Sequence, residues 1–237
     1  MKILITGGRS DIAQAFVKEL QEEGHTFVLT SRNPPASLES PPTVQWVPFQ
    51  LEAPQDQAAF SGIDVLILNA ATQLPSLHGF GNWDNETFNQ YVSGEIRGNT
   101  WLIQRCLSGM QQRSFGRIVF ISSISSQMGT PDYSPYVMVK AAMEGLVRSL
   151  AVEYGKMNIL SNSLRLGAFQ TSRTESYWSH AAYRKRLLKK IPQQHMGAPQ
   201  HAAKALLPLI QQEQFINGAA IDVTGGFPMQ PKIELLK

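Results

Sequence analysis

The sequence predicts an α/β protein, a doubly wound parallel sheet in a single domain, and three observations predict it. Short apolar runs alternate with longer amphipathic stretches from residue 1 to about 225, the rhythm of strands joined by crossover helices. Val65-Leu66-Ile67-Leu68 is apolar without alternation, as expected of a parallel strand covered on both faces. No repeat, low-complexity tract or composition break divides the 237 residues, a length that suits one such domain.

The first strand, Lys2–Thr6, runs into Gly7-Gly8-Arg9-Ser10-Asp11-Ile12-Ala13, and a helix follows over Asp11–Glu23, closed by Gly24. A strand, a glycine turn and a helix N-terminus make an anion site, because free N–H groups and the positive dipole end point the same way. Glycine lets the backbone approach a pyrophosphate, and Asp11 is expected to cap the helix. The second strand, Thr26–Thr30, ends in Ser31-Arg32-Asn33. A carboxylate there would accept bonds from an adenosine ribose 2′-hydroxyl and favour NAD. None is present; Arg32 and Arg9 can instead pair with a 2′-phosphate, with Ser31 adding a hydroxyl, so NADP(H) is expected. Pro34-Pro35 and Pro41-Pro42 mark a loop, and strands follow at Val44–Val47 and Ile63–Leu68.

A long helix is expected over Asn85–Gln111, then a strand over Arg117–Ser122 leading into Ser123. Tyr136 lies thirteen residues after Ser123 and Lys140 four after that, in a helix over Pro135–Tyr154 that opens on proline. Tyr136 and Lys140 therefore share one face, and Ser123 lies at the carboxyl edge of the sheet, where open α/β sheets bind ligands. These types fit one chemistry. Hydride delivery to a carbonyl carbon leaves an oxygen that needs a proton. A free tyrosine, with a pKa of about 10, is a poor base near neutrality. A neighbouring ammonium lowers that pKa, as would an oxidised nicotinamide. Ser123 can hold the carbonyl oxygen, and Lys140 can also hold ribose hydroxyls. The remaining elements are a strand at Asn158–Arg165, a helix at Pro199–Gln211 and a strand at Ala219–Val223. Between them Thr171–Gln200 interrupts the rhythm, carrying Tyr177, Trp178, Tyr183 and the basic run Arg184–Lys190; a long late excursion reads as a substrate lid.

Together these motifs resemble the short-chain dehydrogenase/reductase family, in its compact ketoreductase-like form, over about residues 2–227. Thr6–Ala13 resembles the family's T-G-x-x-x-G-x-G loop, Leu68–Ala71 its N-N-A-G segment, and Asn162–Thr171 its N-x-(V/I)-x-P-G-x-x-x-T stretch. Ser123, Tyr136 and Lys140 match its catalytic residues, and Phe215–Gly218 through Phe227 its C-terminal strand and glycine turn. The resemblance implies a Rossmann fold and NAD(P)-linked carbonyl or alcohol chemistry. It also implies a dimer or tetramer built on the two long helices. Cofactor contacts are implied for Gly7, Arg9, Ser10, Asp11 and Ile12, for Ser31 and Arg32, and for Gln50 and Leu51. Asn69, Ala70 and Ala71, then Gly167, Phe169 and Thr171, complete the set with Tyr136 and Lys140.

Several positions depart from the pattern. Asp11 and Ala13 replace glycines, Leu166 stands for a proline, Gln50 for an adenine-binding aspartate and Thr224 for another aspartate. Glu95 falls where the family's fourth catalytic residue, an asparagine, holds a water that relays protons to the lysine. Glu95 could accept from that water or from Lys140, or clamp Lys140 as an ion pair; Asn99, one turn on, could substitute in part.

The expected function is NADPH-dependent reduction of a ketone. The substrate would be a β-ketoacyl group on an acidic carrier protein, steered by Arg184–Lys190, or a free small alcohol, sugar or cyclic ketone lined by the lid aromatics. A non-catalytic NADP(H) sensor is the reading from another class, motivated by Glu95. A net charge of +3 and the lack of a basic stripe with interleaved aromatics argue against nucleic acid. The lone Cys106 excludes an internal disulfide and suits a reducing compartment. No targeting or membrane-spanning run is visible, so a cytoplasmic protein is expected.

Overall fold

The computed structural model of the chain describes residues 1–35, 41–74 and 76–229. Residues 36–40 of the proline-flanked loop and residues 230–237 lie outside the described part, as does the side chain of Tyr177. Seven strands form one parallel sheet: β1 (Lys2–Ile5), β2 (Thr26–Ser31), β3 (Val44–Pro48), β4 (Val65–Leu68), β5 (Gly116–Ser123), β6 (Ile159–Leu166) and β7 (Ala220–Val223). Their order is β3-β2-β1-β4-β5-β6-β7, the Rossmann arrangement in which the chain winds outward one way, returns, and winds out the other. The reversal falls between β1 and β4, which pair Ile3 with Val65 and Ile5 with Ile67.

Period two sorts the strand residues into two cores. Ile3, Ile5, Val65 and Ile67 face α1 (Asp11–Leu20) and α7 (Pro199–Ile210), where Phe16, Leu206 and Leu209 meet them. Leu4, Leu66 and Leu68 face the opposite layer, α2 (Asn85–Arg113) and α4 (Ser134–Tyr154), with Leu102, Val139 and Val147. Short helices α3 (Ser125–Met128), α5 (Glu175–Trp178) and α6 (Ala181–Leu188) decorate the carboxyl edge. Every strand expected from sequence is present, and its ends differ by at most two residues. None of the helices formed by the described residues is long and apolar enough to cross a membrane.

Two details correct the sequence expectation. Ser10, not Asp11, caps α1: it is extended, at φ −73° and ψ 148°, and its hydroxyl accepts from the Ala13 N–H. Asp11 is thereby the first helical residue, and its carboxylate accepts from the N–H and hydroxyl of Ser172, 2.6 and 3.1 Å away. The helix beginning at Asp11 also gives way at Leu20 to a 3₁₀ turn over Gln21–Glu23 before Gly24.

Arg117, the second residue of β5, is wholly buried. Its guanidinium donates to the carbonyls of Gln211 and Gln212 beyond α7 and to those of Gly116 and Asn158, and lies 4.4 Å from the Phe115 ring centre. Four hydrogen bonds to carbonyls make that burial tolerable.

On the other face α2 crosses the loop after β3 in direct contact. A methyl group at Gly98 would meet the Leu51 Cα at 2.4 Å and its carbonyl oxygen at 2.5 Å. Gly98→Ala is therefore expected to destabilise the fold by about 1–3 kcal/mol through forced separation, read as a lower urea midpoint at unchanged m-value. A variant as stable as the native chain would show that α2 can move away freely.

Candidate active site

The carboxyl ends of β1 and β4 are locked together. The Thr6 hydroxyl accepts from the N–H groups of Asn69 (2.9 Å) and Ala70 (2.8 Å). The Asn69 amide returns bonds to the carbonyls of Thr6 and Gly7 and to Ser10 Oγ. Gly7 makes the turn with φ +66°, and a side chain there would meet the Ala70 Cα at 3.0 Å. Over this joint opens a crevice of about 1190 Å³. That is larger than an ordinary single-ligand pocket of roughly 300–1,000 Å³, with room for a dinucleotide and a substrate.

The crevice is lined at one end by Arg9, Ser10, Asp11, Ile12, Ser31, Arg32, Gln50 and Leu51, and along its floor by Gly7, Asn69, Ala70 and Ala71. Its other end holds Ser123, Tyr136, Lys140, Gly167, Phe169 and Thr171. Thus the residues named from sequence converge on one site. Glu95 is buried just behind it.

Ser123 closes β5, and Tyr136 and Lys140 project from the first turns of α4. Lys140 is buried; its ammonium donates to the Ile121 carbonyl at 2.9 Å and lies 4.6 Å from the Phe120 ring centre and 5.5 Å from that of Tyr136. Burial pulls its pKa down to about 8, against the charges of Glu95 and Glu144, which favour the ammonium; Arg173 disfavours it. Burial pushes the Tyr136 phenol up, while a hydrogen bond with Ser123 and the charge of Arg173 pull it back. An ammonium with donors to spare, a hydroxyl and a phenol beside a glycine-turn crevice fit a nicotinamide cofactor: the ribose hydroxyls would find Lys140, and the phosphates the start of α1.

Among the described residues Glu95 neither accepts a hydrogen bond from Lys140 nor forms an ion pair with it. Its carboxylate accepts from the N–H and the hydroxyl of Thr72, in the loop after β4. It reaches Lys140 through space as a charge. Asn99 is committed too, donating to the Glu95 carbonyl at 2.7 Å. Thr72 passes the chain on, since Arg173 donates to the carbonyls of Ala71 (2.9 Å) and Thr72 (2.8 Å). Neither Thr72 nor Arg173 stands out in the sequence. Only the irregular stretch from Thr171 hinted at the second.

At the end of the crevice beside β2, Arg9 donates to the Asn33 carbonyl at 3.2 Å, and Ser31 does the same. Arg32 pairs at 2.6 Å with Glu52, an acid the sequence reading passed over. In the excursion, Tyr183 lines the crevice, but Trp178 lies in a separate groove beside α1 and donates to the Thr171 carbonyl. Arg184, Lys185, Arg186, Lys189 and Lys190 are exposed. The excursion is pinned at its base, where Gly197 donates to the Ala168 carbonyl and accepts from the Gln170 N–H, each at 2.8 Å.

Such a site is that of an NAD(P)-dependent oxidoreductase acting on CH–OH and C=O groups. A family model described as Enoyl-(Acyl carrier protein) reductase matches residues 52–228. The chain is 27% identical over 236 residues to the 3-oxoacyl-[acyl-carrier-protein] reductase MabA of Mycobacterium tuberculosis, covering 96% of this chain and 92% of that one. It is 26% identical over 226 residues to the 5-keto-D-gluconate 5-reductase of Escherichia coli, covering 95% and 85%. A solved short chain dehydrogenase/reductase family protein superposes with a TM-score of 0.83 at 27% identity, covering 96% of this chain and 97% of that one. The chain belongs to the short-chain dehydrogenase/reductase family.

Because Glu95 favours the charged form of Lys140, its removal has a signed effect. The ammonium is present below its pKa and lost above, so kcat/KM is expected to fall as pH rises through about 8. Glu95→Gln removes the supporting charge and moves that alkaline limb to lower pH. A limb left in place, measured in pH–rate profiles of both proteins, would show that the carboxylate acts only on Thr72.

Proposed function

We propose that the protein is an NADPH-dependent ketoreductase that reduces a carbonyl to a secondary alcohol. The observation that carries this is the Ser123–Tyr136–Lys140 cluster at the catalytic end of a crevice whose other end presents Arg9 and Arg32. A bound nicotinamide supplies the hydride. Ser123 holds the carbonyl oxygen against the Tyr136 phenol, and Tyr136 donates the proton as that oxygen gains charge. The Lys140 ammonium stabilises the phenolate left behind, and its remaining N–H groups would hold the ribose hydroxyls of a bound cofactor. Glu95 supports that ammonium from behind.

The preference for NADPH rests on the two guanidinium groups and on the lack of a carboxylate at the end of β2. Glu52 already neutralises part of Arg32, so Arg9 and the remaining Arg32 donors would share the 2′-phosphate. Residues 171–200 act as the substrate lid. The exposed basic face of α6 favours a β-ketoacyl group delivered on an acidic carrier protein, as does the name of the mycobacterial relative. Tyr183 inside the crevice favours a free small ketone. Assembly through α2 and α4, where Met138 and Val152 are exposed on the latter, belongs to the same reading, and the buried thiol of Cys106 suits the reducing cytoplasm.

Tyr136→Phe is expected to lower kcat by about 10²-fold or more while leaving NADPH affinity within a factor of about two; substantial remaining turnover would contradict its role. The native protein is expected to use NADPH at least about tenfold better than NADH in kcat/KM, with the preference lost in Arg32→Ala, since charge-assisted bonds contribute about 1.5–3 kcal/mol. Equal use of both cofactors would overturn the assignment.

A further inference from the structure

We propose that the Arg173 guanidinium is the anchor for a carboxylate on the substrate, so that the preferred substrate is a small keto acid rather than a neutral ketone or thioester. The inference rests on the ketoreductase reading of this site.

Three observations place and prepare the group. Arg173 lines the crevice together with Ser123, Tyr136, Lys140, Tyr133 and Tyr183, at the catalytic end. Its charge is felt there, favouring the phenolate of Tyr136 and disfavouring the ammonium of Lys140. Two of its N–H groups are committed to the carbonyls of Ala71 and Thr72. Those carbonyls fix the plane of the fork, and Thr72 is itself held by the buried Glu95.

What remains is a rigid cation with N–H donors left over, since guanidinium has five. Arg32 pairs with Glu52, Arg105 with Asp56, Arg113 with Asp64 and Arg165 with Glu144. Arg173 forms no such pair within 4 Å among the described residues. Asp11, the one carboxylate among the described lining residues, is bonded to Ser172. A carboxylate meets a fixed guanidinium fork in a bidentate pair, at little further ordering cost. A neutral thioester carbonyl offers no matching charge. The cofactor diphosphate is the other anion that could reach this crevice, and the test separates the two.

Two matched pairs serve as probes: acetoacetate with methyl acetoacetate, and 4-oxopentanoate with its methyl ester, alongside acetoacetyl-N-acetylcysteamine as a carrier mimic. NADPH oxidation gives kcat/KM, and fluorescence titration gives the NADPH Kd. The acid of at least one pair is expected to exceed its ester about tenfold. Arg173→Gln is expected to lower kcat/KM for that acid by about 10-fold or more beyond any loss for its ester, with the NADPH Kd within about twofold; Arg173→Lys restores part of the difference. Acids and esters used alike, an equal loss for both in Arg173→Gln, or the thioester as the best substrate would overturn the proposal. A raised NADPH Kd in Arg173→Gln would assign the guanidinium to the diphosphate and overturn it as well. NADPH binding with no turnover of any probe would count against the ketoreductase reading itself and take this inference with it.

Discussion

Much of the site follows from keeping one ammonium charged in a place that disfavours it. Lys140 lies beneath the sheet edge with the Ile121 carbonyl as its hydrogen-bond partner and an aromatic ring beneath. Desolvation disfavours its charge. Glu95 and Glu144 oppose that from two sides, and each is immobilised by other bonds: Glu95 by Thr72, and Glu144 by Ser122, Ser126 and a bidentate Arg165. Carboxylates tied in this way act at a distance and do not collapse onto the lysine. The phenol thus gains a charged neighbour whose proton is still labile near neutrality.

The same loop ties the halves of the crevice together. Asn69 and Thr6 join β4 to β1 at the point where the strand order reverses, and three residues after Asn69, Thr72 joins Glu95 to Arg173. Ser172, beside Arg173, reaches back to Asp11 at the start of α1. The glycine turn, the loop after β4 and the segment after β6 come from distant parts of the chain, yet each contacts the other two. The crevice is thereby bounded by three segments that hold one another in place.

Local pattern made most of the fold legible. The apolar run at Val65–Leu68, the turn at Gly7 and the spacing of Tyr136 and Lys140 each report a structure formed by near neighbours, and each is where the sequence placed it. Ser10 and Asp11 were harder, because either can cap and the choice was decided by Ser172, 161 residues away. Glu95 stands out in the sequence as an odd residue, but its partner Thr72 carries no motif. Arg173 and Glu52 were hidden for the same reason, as charges whose meaning depends on what the fold places opposite them. Trp178 shows the limit of composition: an aromatic in a lid need not face the ligand, and here its indole N–H is turned toward a backbone carbonyl behind the crevice.

The buried Arg117 has a consequence for how the molecule opens. Helix ends ordinarily fray, yet the carbonyls just past α7 are held by a guanidinium rooted in β5. Releasing that end would strand a dehydrated cation inside the sheet, at a cost of several kcal/mol. The outer layer on that face is thus coupled to β5 and separates from it only when the strand itself loosens. Amide protons at the end of α7 should accordingly exchange on the timescale of whole-molecule unfolding, not on that of an exposed terminus.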